Sequence, residues 1–137
     1  MTLQPLLEAP LAIKVHVALL VLAWLIGTWL MFVSRKGWPM HRALGVLFLS
    51  LITATAIVAL FIHRKMPNSP FFGMSPTHLT VPLVLCLSAL ALYGALRGQI
   101  LQHRIAVSGL YFGSLSITAL VNVLTGDGIA HQLFFTR

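Results

Sequence analysis

Four long apolar runs, separated by short polar segments, dominate the chain. They cover approximately residues 11–33, 41–62, 77–96 and 104–124. Each is close to the roughly 20 residues that an α-helix needs to cross the hydrocarbon core of a bilayer. Since backbone groups must be paired internally within lipid, the pattern predicts an all-α integral membrane protein. We expect a four-helix transmembrane bundle that forms a single domain, 1–137.

Two short basic segments, 35–42 and 97–104, join the runs in pairs and share a pattern of polar residues. Four polar positions recur at an offset of 62 residues. They are His16 and His78, Arg35 and Arg97, His41 and His103, and Arg42 and Arg104. This recurrence predicts two repeats of a two-helix unit, about 15–59 and 77–121. Because each unit returns the chain to its starting side, the copies are parallel and related by an axis along the membrane normal.

Composition and charge placement support a membrane protein over a nucleic-acid-binding one. Hydrophobic residues make up 58% of the chain and charged residues 8%, with a mean hydropathy of +0.95, whereas a soluble domain carries about 25% charged residues. The net charge of +7 comes from Lys and Arg at the ends of the apolar runs, where they would meet lipid headgroups. We therefore expect lipid as a partner and no nucleic acid.

The basic residues also bear on orientation in the predicted location, the bacterial inner (cytoplasmic) membrane. The side with the two basic segments holds five of them, and the other side holds four. The five are Arg35, Lys36, Arg42, Arg97 and Arg104; the four are Lys14, Arg64, Lys65 and Arg137. The positive-inside rule then favours a cytoplasmic position for the hairpins of this multi-pass chain.

The histidines are the main candidates for chemistry. The repeat places His16 opposite His78 near one membrane face, and His41 opposite His103 near the other. Facing imidazoles in an apolar bundle are able to bind a haem iron from both sides, with the macrocycle between the helices. We therefore predict these two pairs as axial ligands of up to two haems b.

Other residues near these histidines suit the same interpretation. Arg42 and Arg104 stand beside the hairpin-side pair and are candidates for contacts with haem propionates or with headgroups. Small residues would let a ring approach the backbone: Gly45 lies one turn beyond His41, and Ala23 and Gly27 share the face of His16.

Simpler interpretations remain open for each histidine. A His-Arg pair at a helix start is often an interfacial anchor, which would explain His41 and His103 through lipid alone. His63 lies in a basic cluster typical of a solvated rim. A weaker alternative is a copper or zinc site on the side opposite the hairpins. Its ligands would be His16, His63, His78 and His131.

The motif His16, Lys36-Gly37-x-x-x-His41-Arg42-x-x-Gly45, His78, Arg97-Gly98 and His103-Arg104 closely resembles a bacterial membrane family, domain of unknown function 2306, over about residues 12–120. That resemblance implies a fold and no established activity. The order of the histidines, first with third and second with fourth, is similar in topology to the four-helix core of the cytochrome b-561 family. This second resemblance implies two haems b and electron transfer across the membrane.

Two hypotheses for function follow. The first is a membrane b-type haem protein, an electron-transfer oxidoreductase, that moves electrons between a quinol or other donor and a redox partner protein. The alternative is a non-catalytic membrane subunit or assembly factor whose His and Arg residues bind lipid or a partner complex. A homo-oligomer is left open. The spans hold no Asp or Glu, which argues against a cation-coupled transporter, and Cys86 stands alone, which rules out a disulfide within the chain.

Overall fold

The computed structural model describes residues 7–62 and 80–124, apart from the side chains of residues 121 and 122. These residues form four helices and no strand, which confirms the all-α prediction. Helix α1 is Leu11–Val33, with a π-helical last turn Trp29–Val33, and α2 is Pro39–Leu60. Helix α3 is Thr80–Leu96. Helix α4, 100–124, consists of Ile100–Ser108, a π-helical segment Gly109–Ile117, and Thr118–Leu124.

Two helix starts differ from those expected from the sequence. Helix α2 begins at Pro39, because proline lacks an N–H and is well placed as the first helical residue. Helix α4 begins at Ile100, four residues before the expected start, so His103 lies within its first turn. The expected start of the third helix, residue 77, lies outside the described residues.

Glycines with positive φ allow both short loops to turn. Gly37 has a φ of 86° in loop 34–38, and Gly98 has a φ of 69° in loop 97–99. A side chain is strained in this left-handed region, so glycine is the residue that fits. We call the end of the bundle formed by these two loops the hairpin end.

Lys36 closes the C-terminal end of α1. Its Nζ donates hydrogen bonds to the carbonyl oxygens of Leu30 at 2.7 Å, Met31 at 2.9 Å and Ser34 at 3.3 Å. The last carbonyls of a helix have no partner within the helix, and a lysine at this position both satisfies them and complements the negative end of the helix dipole. The ammonium group of Lys36 therefore stabilises the turn that leads to α2.

Each helix packs mainly on its two neighbours around a ring. Helix α1 contacts α2 and α4, while α3 contacts α2 and α4 from the other side. The pairs α1 with α3 and α2 with α4 are therefore diagonal across the bundle. His41 on α2 and His103 on α4 belong to one of these diagonal pairs.

Large apolar side chains face outward as well as inward. The interior contains aromatic and aliphatic side chains: Phe48, Ile52, Leu110, Tyr111 and Leu115. The outer surface also carries many large apolar residues, among them Leu25, Trp29, Phe32, Val46, Ile57, Leu90, Phe112 and Leu120. Among the described residues, two helices, α1 and α2, are long and apolar enough to cross a membrane, and α3 is a shorter apolar helix.

The two helical hairpins bury equivalent positions. The offset between these positions is 62 residues for α2 and α4 and 61 residues for α1 and α3. Phe48 and Leu110, on α2 and α4, are both buried at the offset of 62. Buried positions of α1 and α3 instead match at an offset of 61, as with Ala23 and Val84, and the glycines of the two loops also match at 61. The second loop thus holds one more residue between its glycine and its histidine than the first.

Candidate histidine site at the hairpin end

His41 and His103 both lie at the hairpin end. Both are half-buried, on the first turns of the diagonal helices α2 and α4. A positive charge on His103 would act on His41, as the ammonium group of Lys36 does. The structure therefore places the second of the two predicted histidine pairs at one end of the bundle.

The tautomer of His103 is set by the backbone of α3. Its Nδ1 lies 2.8 Å from the carbonyl oxygen of Ala91. Because a carbonyl oxygen only accepts, Nδ1 carries a proton, which leaves Nε2 as the ring nitrogen that could bind a metal. Histidines that bind metal generally donate their other ring N–H to such a partner, which fixes the ring orientation. His103 therefore has the hydrogen-bonded form of a metal ligand.

A close approach of two backbones places His103 in this position. A Cβ on Gly94 of α3 would lie 2.8 Å from the backbone nitrogen of His103 and 3.2 Å from its Cα. The hydrogen atom of glycine thus lets the start of α4 lie directly on α3. Gly94 belongs to none of the predicted site motifs, although a lone glycine near the end of an apolar helix is a known sign of close packing.

His41 has a different partner. Its Nδ1 lies 3.1 Å from the hydroxyl oxygen of Ser34, in the first loop. A hydroxyl group both donates and accepts, so this contact orients the ring and leaves either tautomer available. Ser34 was not among the predicted site residues, because it lies seven residues before His41 and belongs to no motif.

Gly45 leaves open space beside His41. It lies one turn further along α2, on the face that also carries the buried Phe48, and a Cβ there would have no atom within 4 Å. Gly27 differs, since a Cβ on it would lie 2.9 Å from ring carbons of both Phe48 and Tyr111. The room expected near Gly45 is present, whereas the protein's own rings occupy the space expected at Gly27.

His16 lies far from the hairpin end. Its Nδ1 donates to the carbonyl oxygen of Thr55 at 3.1 Å, as the Nδ1 of His103 does to that of Ala91. Thr55 is 14 residues beyond His41 on α2, which corresponds to about 21 Å along the helix. The predicted partner, His78, lies outside the described residues. At the offset of 61 that relates the buried faces of α1 and α3, His16 would correspond to Thr77, which is also outside them.

The remaining predicted site residues have plainer surroundings. Arg42 and Arg104 are exposed at the hairpin end, and each directly follows its histidine in the sequence. His63 and His131 lie outside the described residues, so the alternative copper or zinc site stays a prediction. Within 7–62 and 80–124, no group of three or more His, Cys, Asp or Glu side chains comes together. A site at the hairpin end would therefore depend on two histidines.

A partly buried chain of two hydrogen bonds links α4 to α1. The hydroxyl group of Thr28 donates to the carbonyl oxygen of Trp24 at 2.7 Å, so its oxygen accepts from the hydroxyl group of Tyr111, also at 2.7 Å. Tyr111 is only 5% exposed and stacks edge-on against Phe32 and Phe112. A tyrosine in an apolar run is a sign of such a buried hydrogen bond, since its hydroxyl group needs a partner.

Comparison with protein-family models, with curated proteins and with solved structures found no match. The two resemblances drawn from the motif and from the order of the histidines therefore stay predictions. The geometry of the histidine pair carries the functional argument.

Proposed function

We propose that this chain is an integral membrane protein with four transmembrane helices, in the bacterial inner membrane, with its hairpin end on the cytoplasmic side. The small fraction of each helix that is buried inside the protein supports the membrane placement. In the most apolar windows of α1 and α2, only 17% and 22% of the residues are buried inside the protein. The core helix of a soluble bundle is mostly buried, and its outer face is polar. The outward Trp, Phe and Leu side chains are those expected against lipid.

Reporter fusions test the placement. A reporter fused after Arg137 should show periplasmic activity, and one inserted after Gly37 should show cytoplasmic activity. Extraction of the membranes with alkaline carbonate should leave the protein in the pellet. Release into the supernatant would contradict integration, and cytoplasmic activity of the Arg137 fusion would contradict the orientation.

We further propose that the hairpin end binds haem b, with His41 and His103 as the axial ligands, and that the protein transfers electrons. The observation that carries this proposal is the position of these two half-buried imidazoles on the first turns of diagonal helices, at the same end of the bundle. The hydrogen bond from His103 to Ala91 supports it, as does the open space at Gly45. When bound, haem would supply a one-electron redox centre.

The protein's own residues would hold and tune that centre. The Ala91 carbonyl orients His103, and the Ser34 hydroxyl orients His41. Arg42 and Arg104 are the candidates to neutralise propionate groups at the membrane surface. A second site at His16 and His78 would lie near the other face and complete a path for electrons from a quinol or other donor to a redox partner protein.

Reduced-minus-oxidised visible spectra test the haem proposal. Protein purified in mild detergent from cells with sufficient haem should show Soret and α bands, and absence of both bands would refute the proposal. His41→Ala and His103→Ala should each remove the same haem population, and His16→Ala a different one. Ser50→Ala, on the exposed side of α2, is the matched control and should leave the spectrum unchanged. Loss of all bands from any single substitution would mean one site and a different pairing.

One observation favours the alternative, a non-catalytic membrane subunit or assembly factor. The centre of the bundle is filled by Phe48 and Tyr111 against Gly27, so this part of the core is complete without a cofactor. A subunit of this kind should unfold at the same temperature whether or not the cells that produce it are supplied with haem. A rise in unfolding temperature that tracks haem content would contradict the alternative.

A further inference from the structure

Exposed arginines concentrate at the hairpin end without a negative partner in the described chain. They are Arg35, Arg42, Arg97 and Arg104. Within 7–62 and 80–124 the acidic residue is Glu8, which precedes α1. Because α1 spans 23 residues, Glu8 lies about 35 Å from the hairpin end. The negative charge that balances these arginines therefore comes from outside this part of the protein.

Two of the arginines are held by aromatic rings. The guanidinium carbon of Arg35 lies 4.8 Å from the centre of the Trp38 ring, and that of Arg97 lies 5.6 Å from the centre of the Tyr93 ring. A stacked guanidinium group loses little further freedom on binding and keeps its N–H donors at its edge. Trp38 follows Arg35 by three residues, whereas Tyr93 precedes Arg97 by four. Each hairpin therefore has an arginine-aromatic pair, although the aromatic residue comes from a different place in the sequence.

Lys36 does not belong to this surface, although it is exposed and basic. Its ammonium group is already used by the carbonyl oxygens at the end of α1. Among the described residues, the cationic donors of the hairpin end without such carbonyl partners are thus the guanidinium groups. Guanidinium groups bind phosphate through two parallel hydrogen bonds, which an ammonium group does not.

We infer that the Arg35–Trp38 and Arg97–Tyr93 pairs form two binding positions for the headgroup phosphate of anionic phospholipids. The apolar neighbours of the arginines identify this partner. Val33 is 59% exposed and Leu96 is 77% exposed, each within two residues of its arginine. A phosphate bound beside such side chains needs acyl chains to cover them, which a lipid supplies and an acidic protein segment does not. The inference depends on the membrane placement proposed above and not on haem.

Trp38 serves as a local reporter for the first position. The chain has three tryptophans, so Trp24→Phe combined with Trp29→Phe leaves Trp38 alone. This variant is reconstituted into vesicles of phosphatidylcholine that contain increasing fractions of brominated phosphatidylglycerol or brominated phosphatidylcholine. Brominated phosphatidylglycerol should quench Trp38 at a lower fraction. Arg35→Gln should reduce the preference about fivefold, since a basic residue near an anionic surface contributes roughly that factor.

The second position is tested in the same way. Tyr93→Trp, with the three native tryptophans replaced by Phe, places the reporter beside Arg97, and Arg97→Gln should reduce its preference by a similar factor. Lys14→Gln removes one positive charge from the opposite end of α1 and is the matched control for both positions. It should leave the preference unchanged.

The outcomes separate the two proposals. Equal quenching by both brominated lipids overturns the inference while leaving the membrane placement intact. No quenching by either lipid contradicts the membrane placement itself. A preference that added inorganic phosphate abolishes indicates a general anion site and overturns the lipid assignment. If the arginine variants fail to fold, the preference of the unsubstituted reporter and its loss at high salt decide the question.

Discussion

The backbone of α3 at Gly94 lies directly against the backbone of α4 at His103. A Cβ on Gly94 would lie only 2.8 Å from the amide nitrogen of His103, closer than packed atoms allow. The same contact places the His103 ring within 2.8 Å of the Ala91 carbonyl oxygen. Helix packing and the orientation of a candidate ligand therefore depend on one missing side chain.

Gly94→Ala should destabilise the protein and displace His103. Inserting a methyl group at a closed backbone contact costs about 1–3 kcal/mol, more than the gain in helix propensity returns. Thermal unfolding in mild detergent should show the loss. Gly113→Ala is the matched control, because Gly113 is exposed and a Cβ there has no atom within 4 Å. Equal unfolding temperatures for the two variants would contradict the close approach.

Gly45→Ala should stabilise the haem-free protein. A Cβ at this position meets nothing within 4 Å, so the substitution gains up to about 1 kcal/mol of helix propensity at no steric cost. If the open space beside His41 receives a haem ring, the same methyl group should lower haem occupancy. Haem content per protein and the unfolding temperature of haem-free protein measure the two effects separately. Unchanged haem content would show that the ring does not lie against Gly45.

The sequence predicted the helices and the inward faces well, because both follow from local patterns. Apolar runs marked all four described helices, and the spacing of His41 and Gly45 placed both on one face of α2. Gly45 was expected to leave room for a ligand, and a Cβ at this position would have no atom within 4 Å.

Contacts between helices could not be predicted from the sequence, because they depend on how the helix surfaces pack together. Gly27 carries the same small-residue signal as Gly45, yet the rings of Phe48 and Tyr111 occupy its space. The change of offset from 61 to 62 residues between the two hairpins could not be predicted either. The match of Arg35 with Arg97 and of His41 with His103 is free of gaps, whereas the buried faces of α1 and α3 are related by 61 residues.

The hydrogen bond from Tyr111 to Thr28 should be detectable as an energetic coupling between α4 and α1. Tyr111→Phe removes the donor and should cost about 1 kcal/mol or less. Thr28→Val should cost more, about 1–3 kcal/mol, because it leaves the buried Tyr111 hydroxyl group without its acceptor. The double variant should then be no less stable than Thr28→Val alone. Additive losses in unfolding free energy would show that the two hydroxyl groups do not interact; Tyr93→Phe, at an exposed tyrosine, is the control.

Lys36→Met should destabilise the end of α1 and loosen the loop that carries Ser34. The substitution keeps most of the apolar length of the side chain and removes the donor shared by three carbonyl oxygens. The expected cost is about 1 kcal/mol, since such charge-assisted bonds weaken with exposure to water. Lys14→Met, in the first turns of α1, removes the same charge and no such cap, so it should have a smaller effect on the unfolding temperature. Because the Ser34 contact with His41 depends on this loop, hydrogen exchange should increase in 34–38 in the Lys36 variant only. Equal exchange in both variants would mean that the loop keeps its shape without the cap.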